Sequence, residues 1–335
     1  MNENKITIGM LGAGRIGKMH AENILANFPQ VDLKAVVDLK LDFEWAKKVG
    51  IPIRSQEITA ITDDPKINAV VITTPSSTHV EMIKVMAGAG KNIFCEKPIA
   101  FAPDLIRQAN KAVEKAGVIL QVGFNRRFDT DILKVRNAVE SGTIGHPHII
   151  NMTSRDPKRP NLKFIPDSGG LFMDFCVHDF DMIRFLTGYE VEEIYARGAN
   201  LVDPKIGEFG DIDTAVLTLK LSGGAIGIIN VCRETNYGYD QQLEVFGSNG
   251  SIAAQNRRPT SVKLSCKDGV FLDQPFYSFI ERYKEAYIEE INEFIKCLEA
   301  DEKPSVDGHD ALEAVLIAVA AQKSLILNQP VSLKK

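Results

Sequence analysis

The sequence predicts an α/β protein with two parts: a first domain on a parallel sheet, then an α+β domain whose sheet is largely antiparallel with helices on one side. Three observations predict this. Short apolar runs alternate with helical patterns through the first 125 residues, the pattern of βαβ units and a sheet covered on both faces. A glycine motif directly follows the first apolar run. Near residue 143 the character changes to longer β-type stretches with hairpin spacing. The predicted division is 1–125 and 126–335, and a chain of 335 residues is long enough for two domains.

The elements follow in order. Residues 5–11 read as a strand in which Ile6, Ile8 and Met10 alternate, and residues 15–27 as a helix. Residues 33–37 form a second strand ending on Asp38. A β-branched run at 69–73 is stopped by Pro75. A helix at 78–89, a strand at 92–95, a helix at 103–115 and a strand at 118–122 complete the first domain. In the second domain, the strand-like stretches 214–221 and 225–231 flank Ser222-Gly223-Gly224. Stretches 242–246 and 251–254 flank Gly247-Ser248-Asn249-Gly250 in the same way. One helix is predicted over 170–187, and a helical tail over 279–299 and 308–326. The acids and lysines between Glu281 and Glu302 read as that tail's solvated face.

Composition narrows the partners. The formal net charge of −5 argues against nucleic acid or an anionic membrane surface, which call for a basic face. Cys95, Cys176, Cys232, Cys266 and Cys297 are far apart, odd in number and without a Cys-x-x-Cys. A disulfide framework or zinc site is not expected, and a reducing, cytoplasmic compartment is. There is no apolar run of about 18 residues to span a membrane. The opening residues do not read as a signal peptide, because their apolar stretch runs into Gly12 and Gly14.

Gly12-Ala13-Gly14-Arg15-Ile16-Gly17 is a G-x-G-x-x-G that follows a strand, opens a helix and precedes an acid, Asp38, at the end of the next strand. In that context Gly12 permits a tight turn, Gly14 lets backbone approach a pyrophosphate, and Gly17 lets helix and strand pack closely. The anion would sit at the N-terminus of the helix. A carboxylate at Asp38 accepts hydrogen bonds from the ribose hydroxyls and repels a 2′-phosphate, which favours NAD; the nearby Lys40 is the residue that could serve NADP. Thr74, Pro75, His79, Glu96 and Lys97 are assigned to the same cofactor site.

Three further segments carry polar groups to the expected site. Lys97, in Glu96-Lys97-Pro98, stands at the carboxyl end of a strand, where such sheets bind ligands; a solvated lysine is the plainer alternative. Asp174 and His178 are spaced i, i+4, so one helix would put them on one face with Asp181 further along it. A carboxylate there can fix the imidazole tautomer and stabilise its charged form; a buried structural pair is the alternative. Asn125 and Arg126, just after the last strand, lie at the expected cleft between domains, and Arg127 reads as an interdomain ion-pair partner. His146 and His148 share a predicted strand face and are read as solvated rather than as metal ligands. Tyr237 sits in a glycine-containing turn.

Together, the glycine motif, Glu96-Lys97-Pro98 and Asp174 with His178 resemble the glucose–fructose oxidoreductase/inositol dehydrogenase/rhizopine-catabolism (Gfo/Idh/MocA) family, through almost the whole chain. Within it the chain looks most like bacterial inositol 2-dehydrogenases, at residues 123–129, 154–157, 169–181, 211–216 and 237–247. The resemblance implies a Rossmann domain and a second domain with an open-faced sheet that often forms tetramers. It implies Lys97, Asp174 and His178 as the catalytic group, without settling whether Lys97 or His178 is the base, and Asn125, Arg126, Asp156 and Tyr237 as substrate-pocket residues. The implied reaction is NAD-dependent oxidation of a polyol hydroxyl, with myo-inositol first and scyllo-inositol or an aldose as competitors, and no metal. An NAD-dependent glycosidase and a non-enzymatic NAD(H) sensor are the readings from other classes.

Overall fold

A computed structural model describes residues 5–333. The chain divides into two compact units. The first contains residues 1–125 and 285–315, the second residues 126–284 and 316–335.

The first unit is a parallel sheet of β1 (Thr7–Leu11), β2 (Asp32–Val37), β3 (Ile53–Ser55), β4 (Ala69–Ile72), β5 (Asn92–Glu96) and β6 (Leu120–Gly123), in the order β3-β2-β1-β4-β5-β6. β1 and β4 are buried along their whole length, as strands covered on both faces must be. The helices are α1 (Arg15–Asn27), α2 (Phe43–Lys48), α3 (Thr59–Thr62), α4 (Ser76–Gly88) and α5 (Pro103–Ala116). α5 has proline in its first turn and Gly117 at φ +66° past its end, the expected start and stop chemistry. β3, α2 and α3 are too short for the sequence pattern to have announced them.

The contiguous boundary expected for the second domain needs correction, because residues 285–315 pack with the first unit. The reason is burial. Ile291, Phe294 and Ile295 of α11 (Lys284–Ala300) join a core cluster with Ala21 and Ile24 of α1, Met10 of β1 and Phe94 of β5. The Gln121 side chain also donates to the Glu290 carbonyl at 2.7 Å.

In the second unit, β7 (Pro147–Arg155), β8 (Val191–Ala199), β9 (Thr214–Leu221), β10 (Ile226–Cys232), β11 (Asp240–Gly247), β12 (Gly250–Ala254) and β15 (Val331–Ser332) form a seven-stranded sheet, ordered β12-β11-β7-β10-β9-β8-β15. Every neighbouring pair is antiparallel except β7 with β10. Along β9 buried and exposed residues alternate strictly, the signature of a sheet packed on one face. A separate hairpin joins β13 (Lys263–Cys266) and β14 (Gly269–Leu272). The remaining helices are α6 (Thr130–Glu140), α7 (Ile165–Ser168), α8 (Gly170–Asp174), α9 (Val177–Thr187), α10 (Phe279–Arg282) and α12 (Gly308–Leu327). The single helix expected over 170–187 is thus two: the N–H groups of Phe175 and Cys176 both reach the Leu171 carbonyl, and the ladder restarts beyond them. The tail helix expected over 279–299 also breaks, at Tyr283, after a capping box of Ser278 and Glu281 starts α10.

Buried ion pairs fix the start of this unit. Arg127 donates to both oxygens of Asp181, with side chains 6% and 0% exposed. Both residues belong to the second unit, so this is an internal pair and not the interdomain one expected. Arg282 meets Asp129 at 2.5 Å, and Asp129 also caps α6 through the N–H groups of Asp131 and Ile132. Removing one partner of such a pair strands a buried charge. Asp181→Ala is therefore expected to destabilise the second unit by about 3–5 kcal/mol, read as a lowered urea midpoint.

Candidate active site

The glycine motif forms the turn from β1 into α1. Gly12 lies at φ +94°, and a Cβ there would stand 2.7 Å from the Thr73 backbone. A Cβ on Gly17 would stand 2.2 Å from the Gly12 carbonyl oxygen and 2.6 Å from Thr73 Oγ1. At Gly14 a Cβ would meet nothing within 4 Å, so only there is the approach to the backbone open. Gly14 is the N-cap of α1, and no side chain caps its first turn, which contains Arg15 and Ile16. Those N–H groups would receive an anion with the helix dipole behind them.

Asp38 follows β2 and does more than the sequence suggested. Its Oδ2 accepts the Ala13 N–H at 2.6 Å and its Oδ1 the Lys40 N–H at 2.7 Å. Gly12 donates to the Val37 carbonyl at 2.8 Å, and Thr73 Oγ1 donates to the Gly12 carbonyl at 2.9 Å. Asp38 therefore holds the turn in shape while each oxygen keeps a lone pair for a ribose hydroxyl. These residues fit a dinucleotide: an open glycine, an uncapped helix start and an acid at the second strand.

His79 differs from expectation. It is 1% exposed, and its ring nitrogens lie 2.9 Å from the Pro98 carbonyl oxygen and 2.7 Å from that of Thr74. Burial pulls its pKa down. It sits between the Thr74-Pro75 turn and the Lys97-Pro98 segment, its one neutral-form N–H donating to one of the two carbonyls, and its enclosure leaves it no surface for a cofactor. Lys97 directly follows β5, half-buried, at the carboxyl edge of the sheet. Glu96 is bonded to His20 of α1 at 2.8 Å, a partner the sequence gave no reason to name.

In the second unit, Asp174 ends α8 and His178 opens α9, both half-buried. Their i, i+4 spacing thus spans the break at Phe175-Cys176 and not one regular helix. Asp174 Oδ2 accepts from Arg233 Nη1 at 3.1 Å, and Arg233 Nη2 lies 3.5 Å from Asp211 Oδ2. Arg233 is 1% exposed. No periodicity marked it, because it lies just past β10 and meets its partners only through the fold.

Arg126 is 3% exposed and donates to Asp179 at 2.7 Å, beside Ser154, Tyr239 and Tyr283. Burial works against its charge, but Tyr283, Tyr239 and Asp179 outweigh it and hold the guanidinium firmly protonated. Burial lifts the Asp179 carboxyl and the Tyr239 phenol. The expected contact of Arg126 with substrate gives way to an internal network, since desolvated arginine needs its carboxylate. Asn125 is likewise buried. Asp156 is half-buried, its N–H on the Cys232 carbonyl at 3.1 Å. Tyr237 is 41% exposed; its hydroxyl donates to Asp240 at 2.5 Å and accepts from Arg155 at 2.8 Å. His146 and His148 are exposed, and only His148 lies within β7.

A parallel sheet ordered about β1 and β4, with a glycine turn fit for a pyrophosphate, defines a dinucleotide-dependent enzyme domain. Residues 6–124 match the model of an oxidoreductase family with an NAD-binding Rossmann fold, and residues 132–253 that of the GFO/IDH/MocA C-terminal domain. The chain belongs to the GFO/IDH/MocA oxidoreductase family and is an NAD-dependent dehydrogenase. It is 47% identical to the uncharacterized oxidoreductase YrbE of Bacillus subtilis, covering 98% of this chain and 97% of that one. It is 43% identical to the myo-inositol 2-dehydrogenase of Thermotoga maritima, covering 98% of each. Among solved structures, the scyllo-inositol dehydrogenase of Lactobacillus casei with bound NAD(H) and scyllo-inositol superposes with a TM-score of 0.91 at 28% identity, covering 98% of this chain and 99% of that one.

Two substitutions separate packing from binding at the turn. Gly17→Ala forces a clash with backbone and is expected to cost about 1–3 kcal/mol or more, seen as a lowered melting temperature. Gly14→Ala should leave melting unchanged while weakening NADH binding roughly tenfold by fluorescence titration, because its methyl projects only into the open side.

Proposed function

We propose that the protein oxidises a secondary hydroxyl of a cyclitol to a ketone, with myo-inositol giving 2-keto-myo-inositol (scyllo-inosose) as the first choice. The observation that carries the substrate class is the full-length similarity to dehydrogenases named for myo- and scyllo-inositol. That similarity holds alongside a nucleotide turn whose open side, at Gly14, is unobstructed. Bound NAD supplies the hydride acceptor.

The protein's own groups have three tasks. His178 takes the hydroxyl proton as the C–H hydride departs, and returns it to water afterwards. Lys97 donates a hydrogen bond to the reacting oxygen, favouring its alkoxide-like character. Asp174, fixed by Arg233, adds a negative charge four residues before His178. Asp156 and Tyr237 are assigned to the hydroxyls of the substrate away from the reacting carbon, while Asn125 and Arg126 support the pocket from within. A homotetramer and a cytoplasmic location are part of the same reading. Among the described residues no helix is long and apolar enough to cross a membrane.

The direct test is NADH formation, by absorbance, from NAD or NADP with myo-, scyllo- and D-chiro-inositol, glucose, xylose and galactose. NAD-linked turnover of an inositol ahead of the sugars is expected. No net reduction with any of them, and NAD retained through purification, would shift the reading to a glycosidase that returns its hydride. His178→Ala should lower kcat by about 10²–10⁴-fold with NADH affinity unchanged. Asp38→Asn keeps the acceptor for Ala13 but removes the charge; it should narrow the preference for NAD over NADP by roughly tenfold, measured as a ratio of kcat/KM values.

A further inference from the structure

The first unit encloses three titratable side chains that the proposed chemistry does not use. His20 lies on α1, Glu96 ends β5 and Glu290 lies on α11; their ligand-type atoms all fall within 4.8 Å of one another. The side chains of His20 and Glu290 have no exposed surface, and that of Glu96 is 12% exposed. His20 Nε2 is 2.8 Å from Glu96 Oε1 and 3.9 Å from Glu290 Oε1. Neither oxygen of Glu290 has a hydrogen-bond partner. The sequence pattern put Glu290 on a solvated helix face, so its burial is a correction as well as a clue.

We propose that His20 is a positioning residue of the reaction, with Glu290 closing the pocket beside its imidazole: His20 pins the Glu96 side chain, and so fixes how the next residue, Lys97, leaves the sheet. This rests on the reading of Lys97 as catalytic.

Four observations support it. A carboxylate only accepts, so Nε2 of His20 carries the proton in that bond, and Nδ1 has no competing hydrogen-bond partner. The rings of Phe94 and Tyr287 stand edge-on to the imidazole at 5.4 and 5.7 Å and hold its plane. A Cβ on Gly123 would lie 3.1 Å from the Glu96 carboxyl, so β6 leaves just enough room for it. Finally, burial, with repulsion from Glu96 added, pushes the Glu290 carboxyl well above the usual range. Glu290 therefore resists ionisation next to Glu96, and the bond of His20 is to Glu96. The groups facing it are Glu96 and His20, with Tyr287 on its own helix. Buried charged clusters contribute little net stability, and this one adjoins Lys97 in the chain.

The test is a double-mutant cycle in the full-length enzyme, with enzyme in excess over NAD so that slow hydride transfer to NAD from myo-inositol is still read. His20→Ala is expected to slow transfer about tenfold with NADH affinity unchanged, and to add nothing in a Lys97→Met background. Glu290→Ala, which opens the pocket beside the imidazole, should show a similar loss, and Glu290→Gln, which keeps the side chain's size without a charge, should restore the rate. A carboxyl whose pKa is raised by folding stabilises below its unfolded value and loses that contribution as pH climbs towards the folded one. The fall in urea midpoint as pH rises above about 4.5 should therefore be shallower in Glu290→Gln. Equal, additive losses from His20→Ala in both backgrounds, or a Glu290→Gln enzyme as slow as Glu290→Ala, would overturn the inference while Lys97 keeps its role. Fast transfer by Lys97→Met alone would remove the role of Lys97 and the inference with it.

Discussion

The first unit depends on one close crossing, where α1 starts against the turn that leaves β1. Gly17 must pass the Gly12 carbonyl at a distance no side chain allows, and Thr73 and Asp38 lock that geometry by hydrogen bonds to Gly12 and Ala13. A helix brought so near the sheet places its N-terminal N–H groups at the reversal of strand order, where anions bind. Packing and binding are therefore one constraint. The same contact carries His20, one and a half turns along α1, into the core beside Glu96.

The second unit solves a different problem. α9 carries a half-buried His178 next to two fully buried acids, Asp179 and Asp181. Arg126 and Arg127, adjacent in a short 3₁₀ turn, each take one of them. The paired arginines neutralise the acids and also fix the rotation of α9 about its axis. His178 inherits that orientation. Arg126 thus acts on the proposed site through the helix that bears His178.

How far this was legible in the sequence follows from the range of the contacts. Apart from the short β3, α2 and α3, the strands and helices that residues 5–125 form, the glycine turn and the place of Lys97 depend on local pattern, and that stretch announces them. The hairpins around Gly223 and Gly250 are local too. What escaped the reading depends on distant partners. The parallel pairing of β7 with β10 joins segments more than 70 residues apart, and no turn signal marks it. The return of α11 to the first core shows only once Phe294 is seen beside Phe94. Glu290 looked like surface because its neighbours on the helix are charged; its own face is the apolar one. The break at Phe175-Cys176 has neither proline nor glycine to announce it.

Arg233 alters what the spacing of Asp174 and His178 means. Within a single helix the acid would be positioned by the histidine it serves. Here Asp174 is held by a buried arginine that also approaches Asp211, whose other oxygen accepts the Leu171 N–H. The carboxylate is thus fixed by α8 and by the strand end after β10, independently of the protonation of His178. Its charge is shared with Arg233, so the orientation of Asp174 is set by the fold around it rather than by its place four residues before His178.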